Sequence, residues 1–145
     1  MISVRVQPED FDVGAELAAL EGQGGGAVAS FTGIVRADDG VEAMTLEHYP
    51  GMTEKALTAL ADEAKDRWPL CGVTVLHRVG TLRAGDRIVF VGTASDHRAA
   101  ALEACAFLID RLKTDAPFWK KEHRSNGDSW VEARAADDAA AGSWD

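Results

Sequence analysis

Cysteine is scarce in this 145-residue chain. Cys71 and Cys105 stand far apart, with no CxxC pair and no metal-ligand spacing, which excludes a disulfide framework and a zinc module. Long apolar runs are missing too. None approaches the roughly 20 residues of a membrane-spanning helix. The first residues, Met1 to Val6, alternate like a strand and lack the apolar block of a secretory signal, so a cytoplasmic location is expected. Positive charge is short: 15 Lys and Arg face 24 Asp and Glu, a formal net charge of -9. That balance argues against general nucleic-acid binding, whose affinity comes largely from phosphate neutralisation. Gly24-Gly25-Gly26 has the wrong spacing for a phosphate loop or a dinucleotide fingerprint, and no two carboxylates are arranged as in a glycosidase.

What is present suffices for one compact domain, since 46% of the residues are hydrophobic. A strand over 2–6 and a short helix over 11–20 precede the glycine break. Ala27 to Val35 then suits a buried strand. A polar turn at 37–40 leads into a strand over 41–48, and the two strands are expected to form a hairpin. Leu57, Leu60, Ala61, Ala64 and Trp68 recur at helical spacing until Pro69. Strands follow over 73–79 and 87–94, around the turn 83–86. The next helix places Leu102, Cys105, Ala106, Ile109 and Leu112 on one face, with Ser95 or Asp96 as N-cap. Cys105 thus reads as a small core residue. Beyond Pro117 come a strand over 118–124, the turn 125–128 and a last strand over 130–134. Helices interrupt the strands without a βαβ rhythm, a pattern of the α+β class with antiparallel strands and two main helices. The domain is placed at 1–134. Residues 135–145, rich in Ala and Asp, read as a flexible acidic tail with Trp144 as a docking anchor.

Three constellations carry chemistry. Between Lys113 and Arg124 the only acids are Asp115 and Glu122, against Lys113, Lys120, Lys121, Arg124 and His123. Lys113 closes a helix, and the strand after Pro117 runs back past it. Alternation puts Lys120, Glu122 and Arg124 on one face and Lys121 and His123 on the other. The reversal can bring Lys113 near Lys120, where two ammonium groups disfavour each other's charge and suit acid–base work. Helix-end placement and a solvated strand face explain the same lysines without chemistry.

His97 and Arg98 fall in the first turn of a helix, where the macrodipole disfavours cations. A bound anion reverses that sign. Phe31 to Arg36 forms the third constellation: Gly33 inside an apolar strand implies a bulge or a close backbone approach, and Arg36 sits at the strand end. His77, inside a strand, reads as a satisfied core or interface histidine.

The ordered set Phe31–Arg36, Leu46–Met52, His77–Leu82, Gly85-Asp86, Ser95–Arg98 and Lys113–Glu122 resembles the large, catalytic subunit of molybdopterin synthase. The resemblance spans about residues 2–133 and implies an α/β hammerhead fold. It further implies a homodimer at the centre of a heterotetramer, each copy binding a small ubiquitin-like subunit whose C-terminal Gly-Gly tail ends in a thiocarboxylate. Two successive sulfurs would pass from such tails to cyclic pyranopterin monophosphate, making the dithiolene of molybdopterin with no metal and no cofactor. By the same resemblance Lys113 and Lys120 are catalytic. Arg36, His97 and Arg98 would hold the substrate, and Ile34, Val35, Lys121 and Glu122 would line the site with them. The competing reading is a non-catalytic module that captures the C-terminal carboxylate of a ubiquitin-like protein. A different anion-binding transferase on the same fold is the third.

Overall fold

The structure, a computed structural model, describes residues 1–131 and 135–145, with the side chains of 135–137 left aside. The elements in order are β1 (Ile2–Gln7), α1 (Val13–Glu21), β2 (Ala27–Ile34), a 3-10 turn (Asp38–Gly40), β3 (Val41–His48), α2 (Met52–Arg67) and β4 (Leu70–Arg78). After these come β5 (Gly80–Arg83), β6 (Arg87–Ser95), α3 (Arg98–Asp115), β7 (Phe118–Arg124), β8 (Gly127–Val131) and α4 (Ala135–Gly142). The last strand was expected to reach Arg134; residues 132–134 lie outside the described ones.

Among the described residues the strands form two four-stranded sheets. Sheet A has the order β1-β4-β6-β2, and sheet B the order β5-β3-β7-β8. The fold is α+β, as expected, with α2 and α3 as its main helices. Pairing is antiparallel except between β1 and β4, which run parallel.

Sheet A is covered on both faces, which is why β4 and β6 are nearly continuous apolar strands. Val73, Val75 and Val91 meet Leu57, Leu60 and Ala61 of α2 and Ala104, Phe107 and Leu108 of α3. On the other face Leu76, Phe90 and Ala94 meet Phe11 and Leu20. A Cβ on Gly92 would collide with Leu20, so this glycine lets α1 lie close to the sheet. A third cluster, Val35, Leu46 and Leu82, joins the two sheets.

The expected β2–β3 hairpin does not form. β2 pairs with β6 in sheet A, whereas β3 pairs with β5 and β7 in sheet B. The chain leaves sheet A at Val35, whose N–H donates to Asp86 O (2.9 Å) and whose carbonyl accepts from the Gly85 N–H (2.8 Å). Two adjacent apolar strands specify burial but not which strand lies alongside. β5, unseen between 79 and 87, is a four-residue strand too short for a periodic signal. The bulge expected at Gly33 is present: the register shifts between Gly33 and Ile34, and a Cβ there would lie 2.7 Å from Val89 Cγ1.

In α3 the buried face is rotated from the expected one. Ala101, Ala104, Cys105, Leu108 and Leu112 are buried, but Leu102 is 63% exposed and Ala106 is exposed as well. The N-cap is His97, not Asp96 or Ser95; the Ser95 hydroxyl accepts from the His97 N–H (3.1 Å) and donates to Pro69 O (2.8 Å). Burial holds the Cys105 thiol up at about 11, as a core residue.

The C-terminal segment carries α4, packed on α3. Trp144 docks there as an anchor. Its ring centroid lies 5.7 Å from those of both Trp68 and Phe107, and its indole N–H donates to Asp110 Oδ2 (2.8 Å). Arg67 donates to the Trp144 carbonyl (2.7 Å) and Arg111 to Asp145 Oδ1 (2.7 Å). Among the described residues no helix is long and apolar enough to cross a membrane.

Candidate active site

Helix α3 runs back along β6. The Thr93 hydroxyl donates to Ala101 O (2.6 Å), and the Cys105 thiol lies 3.9 Å from Val91 O. At 1.5 Å per residue, Lys113 is therefore about 24 Å from His97 along the helix. Lys113 ends α3 beside the Arg87 end of β6, and His97 and Arg98 begin it beside the Ser95 end.

Strand β2 makes the same division. Ile34 pairs at the Arg87 end and Ala27 at the Ser95 end, roughly 23 Å away at 3.3 Å per residue. Ile34 and Arg36 thus share an end of sheet A with Lys113. Arg36 is exposed and pairs with Asp38 (Nε–Oδ2 3.1 Å). Ile34 is 53% exposed, a large apolar side chain open to a ligand. Val35, expected to line the site, has its side chain 2% exposed among Leu46 and Leu82, and both its main-chain groups are engaged. It anchors the crossing between sheets and presents no surface in this chain.

Strand β7 reaches the same end. After Pro117 the Phe118 ring stacks on His77 with centroids 3.9 Å apart, and His77 pairs with Val89 near the start of β6. The Thr53 hydroxyl, fully buried at the start of α2, donates to the Pro117 carbonyl (3.1 Å) and pins this turn. Two residues on, Lys120 lies on the same face as Phe118, opposite Leu46 of β3. Glu122 is on that face also, held by Arg124 (3.2 Å). Lys121 is on the other, its ammonium 5.5 Å from the Trp130 ring centroid. The alternation expected along this strand holds, and it separates Lys121 from Lys120 and Glu122.

His77 is 3% exposed, and its Nδ1 lies 2.7 Å from Arg78 O. Burial first, then the charges of Lys120 and His48, hold its pKa down at about 4 against the hydrogen bond to Arg78. The ring is neutral at physiological pH, as a satisfied buried histidine should be.

One arrangement escaped the sequence. On the outer face of sheet B the Thr81 and Thr45 hydroxyls are 2.9 Å apart, Thr45 lies 2.6 Å from His123 Nε2, and His123 Nδ1 lies 3.0 Å from Asp128 Oδ1. These residues come from four strands, β5, β3, β7 and β8, so no local spacing announces them. Beside them Tyr49, Trp119 and Trp130 are large exposed aromatics. An open depression of about 600 Å³ at the start of α1, lined by Asp10, Phe11, Asp12 and Arg87, contains none of the expected site residues. Its Arg87 is already paired with Asp10 (2.9 Å).

The cationic residues expected at the site thus fall into two groups. Lys113, Lys120 and Arg36, with Ile34, lie toward one end of sheet A; His97 and Arg98 lie at the other.

Comparison with known proteins shows what the whole chain is similar to. A family model described as MoaE protein matches residues 6–115. The chain is 57% identical to the molybdopterin synthase catalytic subunit of Escherichia coli (strain K12), over 96% of this chain and 95% of that one. Among solved structures it is similar to the molybdopterin biosynthesis MoaE protein from Burkholderia ambifaria MC40-6, with TM-score 0.86 and 52% identity over 99% and 98% of the two chains. Molybdopterin synthase from Staphylococcus aureus matches with TM-score 0.81 and 33% identity, over 88% of this chain and 95% of that one.

Proposed function

From the premise that this chain belongs to the MoaE family, the catalytic subunits of molybdopterin synthase, we propose the following reaction. Two sulfurs pass in succession, each from the C-terminal thiocarboxylate of one small ubiquitin-like subunit, which is left as a carboxylate, and enter cyclic pyranopterin monophosphate to form the dithiolene of molybdopterin. The observation that carries this reading is the grouping of Lys113, Lys120, Arg36 and Ile34 at one end of sheet A in a chain of net charge -9. A cationic centre on an acidic protein suits an extended tail ending in a negative charge.

In this reading Lys113 and Lys120 receive the tail, stabilise the negative charge that develops on its carbonyl and supply protons to the opening pterin ring. Arg36 exchanges Asp38 for a substrate anion. His97 and Arg98, with the free N–H groups of the first turn of α3, form the phosphate-holding centre. Because that centre is about 24 Å along α3 from Lys113, one copy cannot offer both to a single small substrate. A homodimer in which the His97 end of one copy meets the Lys120 end of the other completes the site. Each copy then binds one sulfur-carrying subunit, in a cytoplasmic heterotetramer. Glu122 and Lys121 would contribute from opposite faces of β7, and Val35 only through the crossing it anchors.

The test is a reconstituted assay with thiocarboxylated small subunit and cyclic pyranopterin monophosphate, comparing wild type with Lys113→Ala and Lys120→Ala. Product from wild type and none from either folded variant supports the enzyme and its lysine pair. A folded wild type that binds the partner but forms no product favours the docking module.

A further inference from the structure

A buried histidine beside a lysine is an expensive choice for a core position. An apolar ring would fill the same space and stack on Phe118 without the desolvation that His77 bears. Packing therefore does not account for a histidine here, and its surroundings suggest what does. A carbonyl oxygen only accepts, so the 2.7 Å contact with Arg78 O places the ring proton on Nδ1 and leaves the lone pair on Nε2. The ring stacks on Phe118, whose neighbour Pro117 is held by Thr53 from α2. Lys120 follows Phe118 by two residues on the same face of β7, about 7 Å along the strand. The charged or titratable groups that bear on the ring are Lys120 of β7 and His48 of β3. Arg78 is directed away, donating to the carbonyls of Pro8 and Arg87.

We propose that His77 is a positioning residue for the sulfur transfer. Its ring, pinned by Arg78 and stacked on Phe118, holds the start of β7 and with it Lys120. Lys120 then meets the thiocarboxylate tail in a set position. This inference rests on the function proposed above, and it adds a residue that makes no contact with the reacting atoms.

Two variants separate positioning from packing. His77→Phe keeps the stack and the volume but loses both nitrogens. His77→Gln loses the ring but keeps a neutral donor for the Arg78 carbonyl and a neutral acceptor. In the reconstituted assay His77→Phe should bind the partner normally and lose about tenfold or more in kcat, with KM within about twofold of wild type. Its pH–rate profile should be displaced, and His77→Gln should recover part of the loss. Rates of His77→Phe within about twofold of wild type, or equal losses in both variants that follow their melting temperatures, overturn the proposal.

Ring-nitrogen NMR of the wild-type protein needs no variant. A neutral ring with the proton on Nδ1 at pH 6 is expected; a charged ring or an Nε2–H tautomer overturns the proposal. Lys120→Ala in the same assay keeps the two claims apart. If it turns over at the wild-type rate, the functional reading has failed and the inference with it. If it is inactive while His77→Phe is not, only the inference has failed.

Discussion

The two sheets have the same number of described strands and very different surroundings. Sheet A is enclosed by α2 and α3 on one face and by α1 on the other, and its central strands are almost wholly buried. Sheet B buries Leu46 and Leu82 against the rest of the chain, keeps Lys120 and Glu122 half-buried on that same side, and leaves its other side to solvent. An enclosed sheet must be apolar, because an unpaired charge in it would cost several kcal/mol. A sheet with one open side can carry charge next to a rigid support. Sheet A therefore supplies stability and the ends that place residues, and in the proposed function sheet B supplies Lys120.

Crossed substitutions are the sharpest way to break this division. Lys120→Ala should lower turnover by about 10²–10⁴-fold while leaving the melting temperature within a few degrees of wild type. Phe90→Ala, in the enclosed sheet, should do the reverse: a loss of about 3–5 kcal/mol in denaturant titrations, with the surviving folded enzyme near normal activity. If Lys120→Ala is the more destabilising of the two, the division is wrong.

Acid should act where the sheets meet. Folded His77 holds its proton only below about 4, against 6.5 unfolded, so the unfolded chain binds more protons between these values. Stability should be full above pH 6.5 and fall by about 3 kcal/mol as pH drops toward 4. His77→Phe should flatten that slope, which urea titrations at pH 7 and 5 would reveal. Asp10, held below its ordinary value by Arg87, acts in a lower window: its contribution fades only as pH falls below about 3.8.

Smaller effects come from the open surfaces. Arg98→Ala should raise the pterin KM several-fold and change partner affinity less; the opposite order would move Arg98 to the docking surface. His123→Ala cuts the chain linking Thr45 to Asp128 on the exposed side of sheet B. It should cost less than about 1 kcal/mol, as cross-strand pairs do, and leave kcat unchanged.

The legible parts of the molecule were those whose signal is local. Pro117 and the alternation from Phe118 to Arg124 placed Lys120 and Glu122 on one face, and Gly33 announced its bulge. Partner choice was not legible: nothing in residues 27–48 says that β2 joins β6 while β3 joins β7, because a strand's pattern marks which side chains are buried and not which strand lies alongside. Leu102 was misjudged because a helical face read from spacing alone can be rotated by a whole residue when small alanines fill the interface. The cationic residues were read from the sequence as one group. Their placement toward the two ends of sheet A was not legible, since it follows from the direction in which α3 returns along β6.

The parallel pairing of β1 with β4 also bears on how the chain is made. Ile2 lies opposite Val73 and Val6 opposite His77, so β1 leaves the ribosome well before the strand it pairs with. At roughly 5–20 residues per second, several seconds pass before that neighbour emerges. During that interval Ile2, Val4 and Val6 lack the helices and the strand that cover them in the folded chain, and the β1 backbone lacks its ladder partner, at the stage when a nascent chain is most open to capture by chaperones or by other chains.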